Sequence, residues 1–238
     1  MESMREGNCR SQVKSTGEFF SELTASSLEG FSAMEYPSSH AANAVLFTEG
    51  DPGRALFVIR EGEVRLSISS SEGKRLSLRI AREGDIIGLS STLSGTPYDM
   101  TAETLYPSRI ASIERREFLS FLEHHPDAYQ AVTNELGRHM SIACSQLRTL
   151  GLSSSAPEKL ARLLLEWSDR GQDRKPGRRM RFSLTHEEIG DFIGTSRETV
   201  TRTLSKFKNR HLVAFQGCMM TIPSPAALAD YAHAQTWR

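Results

Sequence analysis

Apolar positions change their spacing twice along the chain, and each change marks a different kind of element. From Phe19 to Phe31 the segment FFSELTASSLEGF carries Phe20, Leu23, Leu28 and Phe31 at steps compatible with one or two short helices. The period then drops to two. Val64, Leu66 and Ile68 alternate with polar residues, as do Leu76, Leu78 and Ile80, and turn residues intervene at Gly50–Asp51–Pro52–Gly53, Glu61–Gly62, Glu72–Gly73 and Glu83–Gly84–Asp85. Short alternating runs punctuated in this way predict an antiparallel barrel or jelly roll. SSSEGK reads as a hairpin tip in which Gly73 is free to take positive φ. Strands resume at Thr101–Leu105 and Arg109–Ile113. Helical spacing returns in ERREFLSFLEHHP, which stops before Pro126.

The segment from Asp127 to Leu152 contains no proline and predicts one long helix, about 39 Å from end to end. Val132, Leu136, Met140, Ala143, Leu147 and Leu150 recur along it at steps of three or four, close to a heptad seam, with His139 beside Met140. A helix of that length overhangs a barrel of this size, which points to a dimer seam rather than to packing on the same chain. LSSSAPEKLARLLLEW then marks a hinge near Ser153–Ser155 and a fresh helix, with Ser155 and Glu158 spaced as a capping box and Pro157 in its first turn. GQDRKPGRR, residues 171–179, reads as a loop and MRFSL as a short strand.

Thr185 and Glu188 form a second capping box, ahead of a helix whose buried face is Ile189, Phe192 and Ile193 and whose stop signal is Gly194. Thr195 and Glu198 make a third box-like start, opening a second helix from Ser196 to about Lys208. Two short helices joined through a glycine are a helix-turn-helix. HLVAFQGCMMTIP adds two short strands around Gln216–Gly217, a wing. Val200, Leu204 and Phe207 face one side of the second helix, while Arg197, Glu198, Thr201 and Arg202 gather on the other.

Composition sharpens the picture at one point. The whole chain is formally neutral, with 29 Lys+Arg against 29 Asp+Glu. Residues 1–156 nonetheless hold 15 Lys+Arg against 20 Asp+Glu (net −5), and residues 157–238 hold 14 against 9 (net +5). An acidic first part joined to a basic last part suggests two domains with different partners, the second a polyanion. No apolar run approaches a membrane span, and the N-terminal 20 residues hold no apolar stretch suited to a signal peptide, so a cytosolic address and no membrane partner are expected. Cys9, Cys144 and Cys218 are too few and too far apart for a disulfide framework or a CxxC site. No metal-ligand cluster, nucleophile elbow or glycine-rich phosphate loop argues for an enzyme.

An arginine fork bonds guanine O6 and N7 together, and a carboxylate accepts from cytosine N4. Arg197, Glu198 and Arg202 are therefore the expected base contacts of a helix in a DNA major groove. Ser183, Thr185, Ser196, Thr199, Thr201, Ser205 and Lys206, with Lys208 and Arg210, are the expected phosphate contacts. The competing reading leaves Glu198 as a cap and both arginines solvated.

LTHEEIGDFIGTSRETVTRTLSKF resembles the recognition motif of the cyclic AMP receptor protein/FNR (Crp/Fnr) family of bacterial transcription regulators, and LFTEGDPGRALFVIREGEVRL resembles that family's cyclic-nucleotide-binding barrel. The likeness spans roughly residues 19–223. It implies an α+β chain: a mobile tail (1–18), a cyclic-nucleotide-binding-like β-barrel of the double-stranded β-helix or jelly-roll kind (19–126), a dimerisation helix and hinge (127–153) and a winged helix-turn-helix (154–238). It further implies a homodimer on double-stranded DNA, RNA polymerase as a partner, and, because Arg197, Glu198 and Arg202 fall on the base-contacting positions of S-R-E-T-V-x-R, a TGTGA-like half-site.

The sensor departs from the cyclic AMP-binding members. These carry a glutamate for the ribose and an Arg-Ser or Arg-Thr for the cyclic phosphate, whereas this chain reads IIGLSSTLSGTPYDMTAETL. Gly88 is kept, Leu89 or Ser90 stands at the glutamate's place, and Tyr98 and Asp99 occupy the Arg-Ser positions. A phosphodiester buried without a paired cation is costly, so cyclic AMP is not the expected effector. Cys9 alone holds no iron–sulfur cluster, and His124, His125 and His139 are candidates for heme only in principle, so neither group is expected and no cofactor is required. Cys144 and Ser145 fall where the resemblance puts the long helix against the ligand. Together with Gly88, Leu89, Ser90, Tyr98 and Asp99 they form the expected effector pocket. An apolar ligand, no ligand, and control by expression level stay open, as do a cyclic-nucleotide-responsive regulator with a non-standard cassette and a ligand-binding module for another effector protein.

Overall fold

Short alternating strands and long helical repeats demand different partners, and the computed structural model gives each its own layer. It describes residues 17–153, 155–169, 178–182, 184–217 and 219–234. Two short helices, α1 (Glu18–Ser21) and α2 (Ala25–Ala33), lead into β1 (Tyr36–His40), β2 (Val45–Phe47), β3 (Ala55–Glu61), β4 (Glu63–Ser69), β5 (Arg75–Arg82) and β6 (Ile86–Ile87). A single helical turn and a half, α3 (Leu89–Ser94), interrupts the strands before β7 (Thr101–Thr104) and β8 (Ser108–Glu114). The eight strands form two four-stranded sheets, ordered β1-β8-β3-β6 and β2-β7-β4-β5, with every pairing antiparallel. That is the expected jelly roll. β1 lies on residues YPSSH, which carry no alternating apolar signal, because it is an exposed edge strand that Pro37 tolerates.

Phe47, Ile59, Val64, Leu66, Ile87 and Ile110 fill the space between the sheets. The outer face of one sheet is capped by α1, α2, α4 (Arg115–His124) and the start of α5 (Ala128–Leu152), through an aromatic cluster of Phe19, Phe20, Phe31, Phe118 and Phe121. Phe31 is fully buried and meets four other rings at 5.5–6.3 Å in tilted or edge-on contacts. Val132 and Leu136 belong to this cluster. Of the expected seam, Val132 is buried within its own chain and Leu136 is half-buried against the same cluster, since periodicity finds an apolar face without saying what covers it. Further along, Met140 is 66% exposed and Leu147 68%, and Ala143 is exposed as well, while Leu150 is half-buried.

A partly buried ion network braces α5 against the chain after α1. Arg138 pairs with Glu22 of the chain after α1 at 2.9 Å and with Glu135 at 2.7 Å, and Glu135 meets His139 at 2.8 Å. Burial alone would raise the Glu135 carboxyl, but hydrogen bonds from His139 and Arg138 outweigh it and hold that group below the usual carboxylate range.

The last part comprises α6 (Ala156–Asp169), β9 (Arg178–Arg181), α7 (His186–Ile193), α8 (Arg197–Asn209), β10 (Ala214–Gln216), β11 (Met219–Ile222) and α9 (Pro225–Ala234). Its core packs Leu160, Leu164, Phe192, Val200, Phe207 and Leu228, and the three strands pair in the order β10-β11-β9. Replacing Phe31 by Ala is expected to cost about 3–5 kcal/mol of stability, read as a lower denaturant midpoint with an unchanged slope; a shift under 1 kcal/mol would mean the aromatic cluster does not anchor the helices.

Candidate DNA-reading helix and effector cavity

The helix-turn-helix is built by its ends. Thr185 caps α7 with the reciprocal pattern expected: its Oγ1 accepts from Glu188 N at 3.2 Å, and Glu188 Oε2 accepts from Thr185 N at 2.8 Å. Gly194 closes α7 at φ 62°, and Thr195 N then donates to Gly190 O at 3.0 Å. A side chain at Gly190 would lie 2.5 Å from Thr195 O, so the turn can close only over a bare backbone. The cap of α8 is Ser196, whose Oγ accepts from Thr199 N, rather than the expected Thr195. The shift by one residue makes Glu198 the second rather than the third residue of the helix, still in its first turn. There its own backbone N–H and the Ser196 hydroxyl, helped by Arg197 and Arg202, hold its carboxyl below the usual range.

α8 has two faces. Val200, Thr203, Leu204 and Phe207 are buried, while Arg197, Glu198, Thr201, Arg202, Ser205, Lys206 and Lys208 are exposed. Arg202 leans on Thr199, with Nη2 donating to Oγ1 at 3.3 Å. Thr201 donates to Arg197 O at 2.9 Å and meets His186 Nδ1 at 2.7 Å, so its hydroxyl serves the joint between the two helices. Among the expected phosphate contacts, Thr185 and Ser196 are exposed caps, Thr199 is half-buried, and Ser183 lies outside the described residues. Arg210 instead stacks over the Tyr231 ring at 4.8 Å and ties α8 to α9.

The second candidate site is a cavity of about 300 Å³ between β4, β5, the α3 region and α5. Gly88, Leu89, Ser90, Tyr98 and Asp99 line it, as expected. Cys144 and Ser145 do not, and Cys144 is exposed. Ile142, Ala143, Gln146, Leu147 and Leu150 face the cavity instead, which puts Cys144 and Ser145 on the other side of the helix. Tyr98 is buried, stacked on Phe47 with ring centroids 4.0 Å apart, and its hydroxyl donates to Ala55 O at 2.6 Å. Burial raises that phenol above its ordinary range. The position where cyclic AMP binders carry a phosphate-pairing arginine is thus occupied by a neutral ring turned into the barrel core. Asp99 beside it is exposed and would repel a phosphate. At that position the chain offers a cyclic phosphate no paired cation, and the cavity's arginine, Arg79, stands elsewhere in the lining.

Cavity and helix-turn-helix share a wall. Gln146 is buried, and its Nε2 donates to Ser77 O of β5 at 3.1 Å and to Phe192 O of α7 at 2.8 Å. Leu150 faces the cavity and would lie 3.6 Å from a side chain built at Gly194. Ile80 and Leu105 of the barrel are buried in the same cluster as Phe192 and Ile193. Arg65 on β4, 5% exposed, bonds Glu188 at 3.1 Å and Glu103 at 2.8 Å, with its Nε left unpartnered. Asp191 lies under this interface, where burial pushes its carboxyl up despite Arg65 and Arg75 nearby. Neither Gln146 nor Arg65 was legible as functional, since each acts on a residue 46 or 123 positions away.

Residues 37–125 match the cyclic nucleotide-binding domain and residues 158–231 the Crp-like helix-turn-helix domain. The chain belongs to the Crp/Fnr family of transcription regulators. It is 27% identical over 197 residues (82% of this chain, 86% of the relative) to the CRP-like cAMP-activated global transcriptional regulator of Mycobacterium tuberculosis. It is 29% identical, over 81% of this chain and 79% of the relative, to the transcriptional activatory protein AadR of Rhodopseudomonas palustris. Its fold is similar to that of FixK2 from Bradyrhizobium japonicum, with TM-score 0.74, 21% identity, and coverage of 82% of this chain and 96% of that one. The family consists of DNA-binding regulators rather than enzymes. Among the described residues no helix is long and apolar enough to cross a membrane, and no group of three His, Cys, Asp or Glu is placed to hold a metal ion.

Gln146→Ala removes both bonds across the shared wall. Amide exchange in residues 188–193 is expected to accelerate at least several-fold while that of β3 and β8 is unchanged. Equal protection in both proteins would show that these bonds do not hold α7 to the barrel.

Proposed function

We propose that this member of the Crp/Fnr family reads a TGTGA-like pseudo-palindrome as a homodimer and responds to an effector other than cyclic AMP. The observation that carries the DNA-reading part is the exposure of Arg197, Glu198 and Arg202 on one ridge of α8 whose opposite face is buried. One recognition helix touches too few bases for useful selectivity, so two are needed, meeting half-sites about 34 Å apart. The exposed run Met140, Ala143 and Leu147 on α5, continued by the 78%-exposed Leu152, supports the seam between the two copies, in place of the wider one expected. The division of labour follows: residues 19–126 sense, 127–153 join the copies, and 154–238 bind DNA for RNA polymerase to use.

The contact between barrel and α7 is the regulated element. Burying Ile80 and Leu105 contributes about 1.5–3 kcal/mol each at most, and the two Gln146 bonds about 0.5–1.5 each. A ligand needs about 5.5 kcal/mol of differential affinity to invert a 99:1 equilibrium. The docked arrangement is therefore strong enough to be a resting state and weak enough for a ligand in the adjoining cavity to undo.

A second reading, a cyclic-nucleotide-responsive regulator with a non-standard phosphate site, is favoured by the match of residues 37–125 and by the cAMP-activated relatives. Titration calorimetry separates the two: cyclic AMP is expected to bind no tighter than millimolar, and a micromolar constant would favour the second. For the DNA-reading part, Arg197→Ala or Arg202→Ala is expected to cost about 1–3 kcal/mol against a TGTGA(N6)TCACA duplex and to leave binding to random DNA within about twofold. Variants that bind both duplexes like the unaltered protein would refute the base-reading assignment.

A further inference from the structure

The chemistry of the cavity narrows its occupant. Leu66 and Ile68 of β4, Leu76 and Leu78 of β5, and Ile142 and Leu147 of α5 give it apolar walls on both sides. Water gains few hydrogen bonds in such a space, and a polyanion would lose its hydration against hydrocarbon without repayment. Charged groups in the lining are the exposed Asp99, beside Tyr98, and Arg79 with His139, where β5 meets α5. Arg79 Nη2 lies 3.0 Å from His139 Nε2 and 3.3 Å from Ile86 O, with Asp85 at 3.7 Å from Nη1. His139 Nε2 also lies 2.8 Å from Glu135 Oε1.

A single ring nitrogen cannot serve both neighbours. To bond Glu135 it must carry a proton, and then it offers Arg79 no acceptor; to accept from Arg79 it must be bare, and then it faces the carboxylate lone pair to lone pair. An anionic oxygen arriving from the cavity resolves the conflict. It accepts from Arg79, and Nε2–H is left to Glu135. One carboxylate suffices, because a guanidinium takes its two oxygens as a fork.

The geometry points to an organic monocarboxylate with an apolar body as the effector, its head at Arg79 and its tail between β4–β5 and α5. The cavity is at the small end of ligand pockets, which suits a medium-length acyl or arylalkyl chain and excludes a dinucleotide. Gln146 and Leu150 line the same cavity and touch α7 and the turn at Gly194, so the tail that displaces them loosens the contact holding the helix-turn-helix to the barrel. This assignment rests on the reading of the barrel as the sensor of a DNA-binding regulator.

The test is titration calorimetry of the full chain with octanoate, 1-octanol and cyclic AMP, alongside gel shifts of the same preparations. Octanoate is expected to saturate one site per chain and to bind at least tenfold tighter than 1-octanol. Arg79→Gln is expected to erase that preference while keeping octanol binding, and Leu78→Trp and Ile142→Trp, which fill the cavity from opposite walls, are each expected to abolish both, with thermal unfolding confirming that the variants fold. No saturable octanoate binding, equal binding of octanol, retention of binding in both tryptophan variants, or cyclic AMP binding tenfold tighter than octanoate would each overturn the assignment. If octanoate does not bind while Arg197→Ala still loses specific DNA binding, the ligand class fails and the regulator reading stands.

Discussion

One buried side-chain amide bonds both halves of this protein at once. Gln146 sits near the end of a helix about 38 Å long and gives one N–H to the barrel and the other to the first helix of the DNA-reading pair. Both acceptors are backbone carbonyls, so the bonds constrain elements rather than flexible side chains. Buried carbonyls left unpaired cost about 1–3 kcal/mol each. Gln146 thus links the barrel to α7, beside the Arg65–Glu188 pair and the packing of Ile80 and Leu105 against Phe192 and Ile193.

Around that point the stabilising and regulatory parts separate. The ring cluster at Phe31 and the Glu22–Arg138–Glu135–His139 network fix the first half of α5 to the barrel. The second half of the same helix borders a cavity, bears the exposed Met140 and Leu147, and touches α7. One helix therefore joins the packed base of the barrel to the cavity and to the DNA-reading pair. Arg65 crosses the same junction, pairing Glu188 of α7 with Glu103 of the barrel.

The helix-turn-helix was readable in detail because its signals are local. Capping residues, a left-handed glycine and a 3.6-residue period all lie within about 25 positions, and they located α7 and α8 to within a residue or two. The alternating strands of the barrel were equally legible wherever one face is buried. β1, on YPSSH, was not, since an edge strand open to solvent needs no apolar alternation. α3 is six residues long and α9 begins on a proline after a loop, so neither shows a sustained period. The stripe on α5 shows a different boundary: an apolar period states that a face is covered, and only the tertiary structure places Val132 and Leu136 against their own chain's ring cluster. Gln146 rather than Cys144 meets the cavity because two residues of helix are a rotation of about 200°, so an error of one or two positions in counting back from a hinge selects the wrong face.

The central claim is that the guanidinium of Arg197 meets a guanine edge. A double-substitution cycle tests it: wild-type protein and Arg197→Ala are titrated against the TGTGA(N6)TCACA duplex and against the same duplex with 7-deazaguanine in each half-site, which deletes the N7 acceptor. The account predicts a clear coupling, with the modified duplex weakening the wild type by about 1 kcal/mol or more per contact and leaving the variant nearly unaffected. Equal losses in both proteins would contradict it.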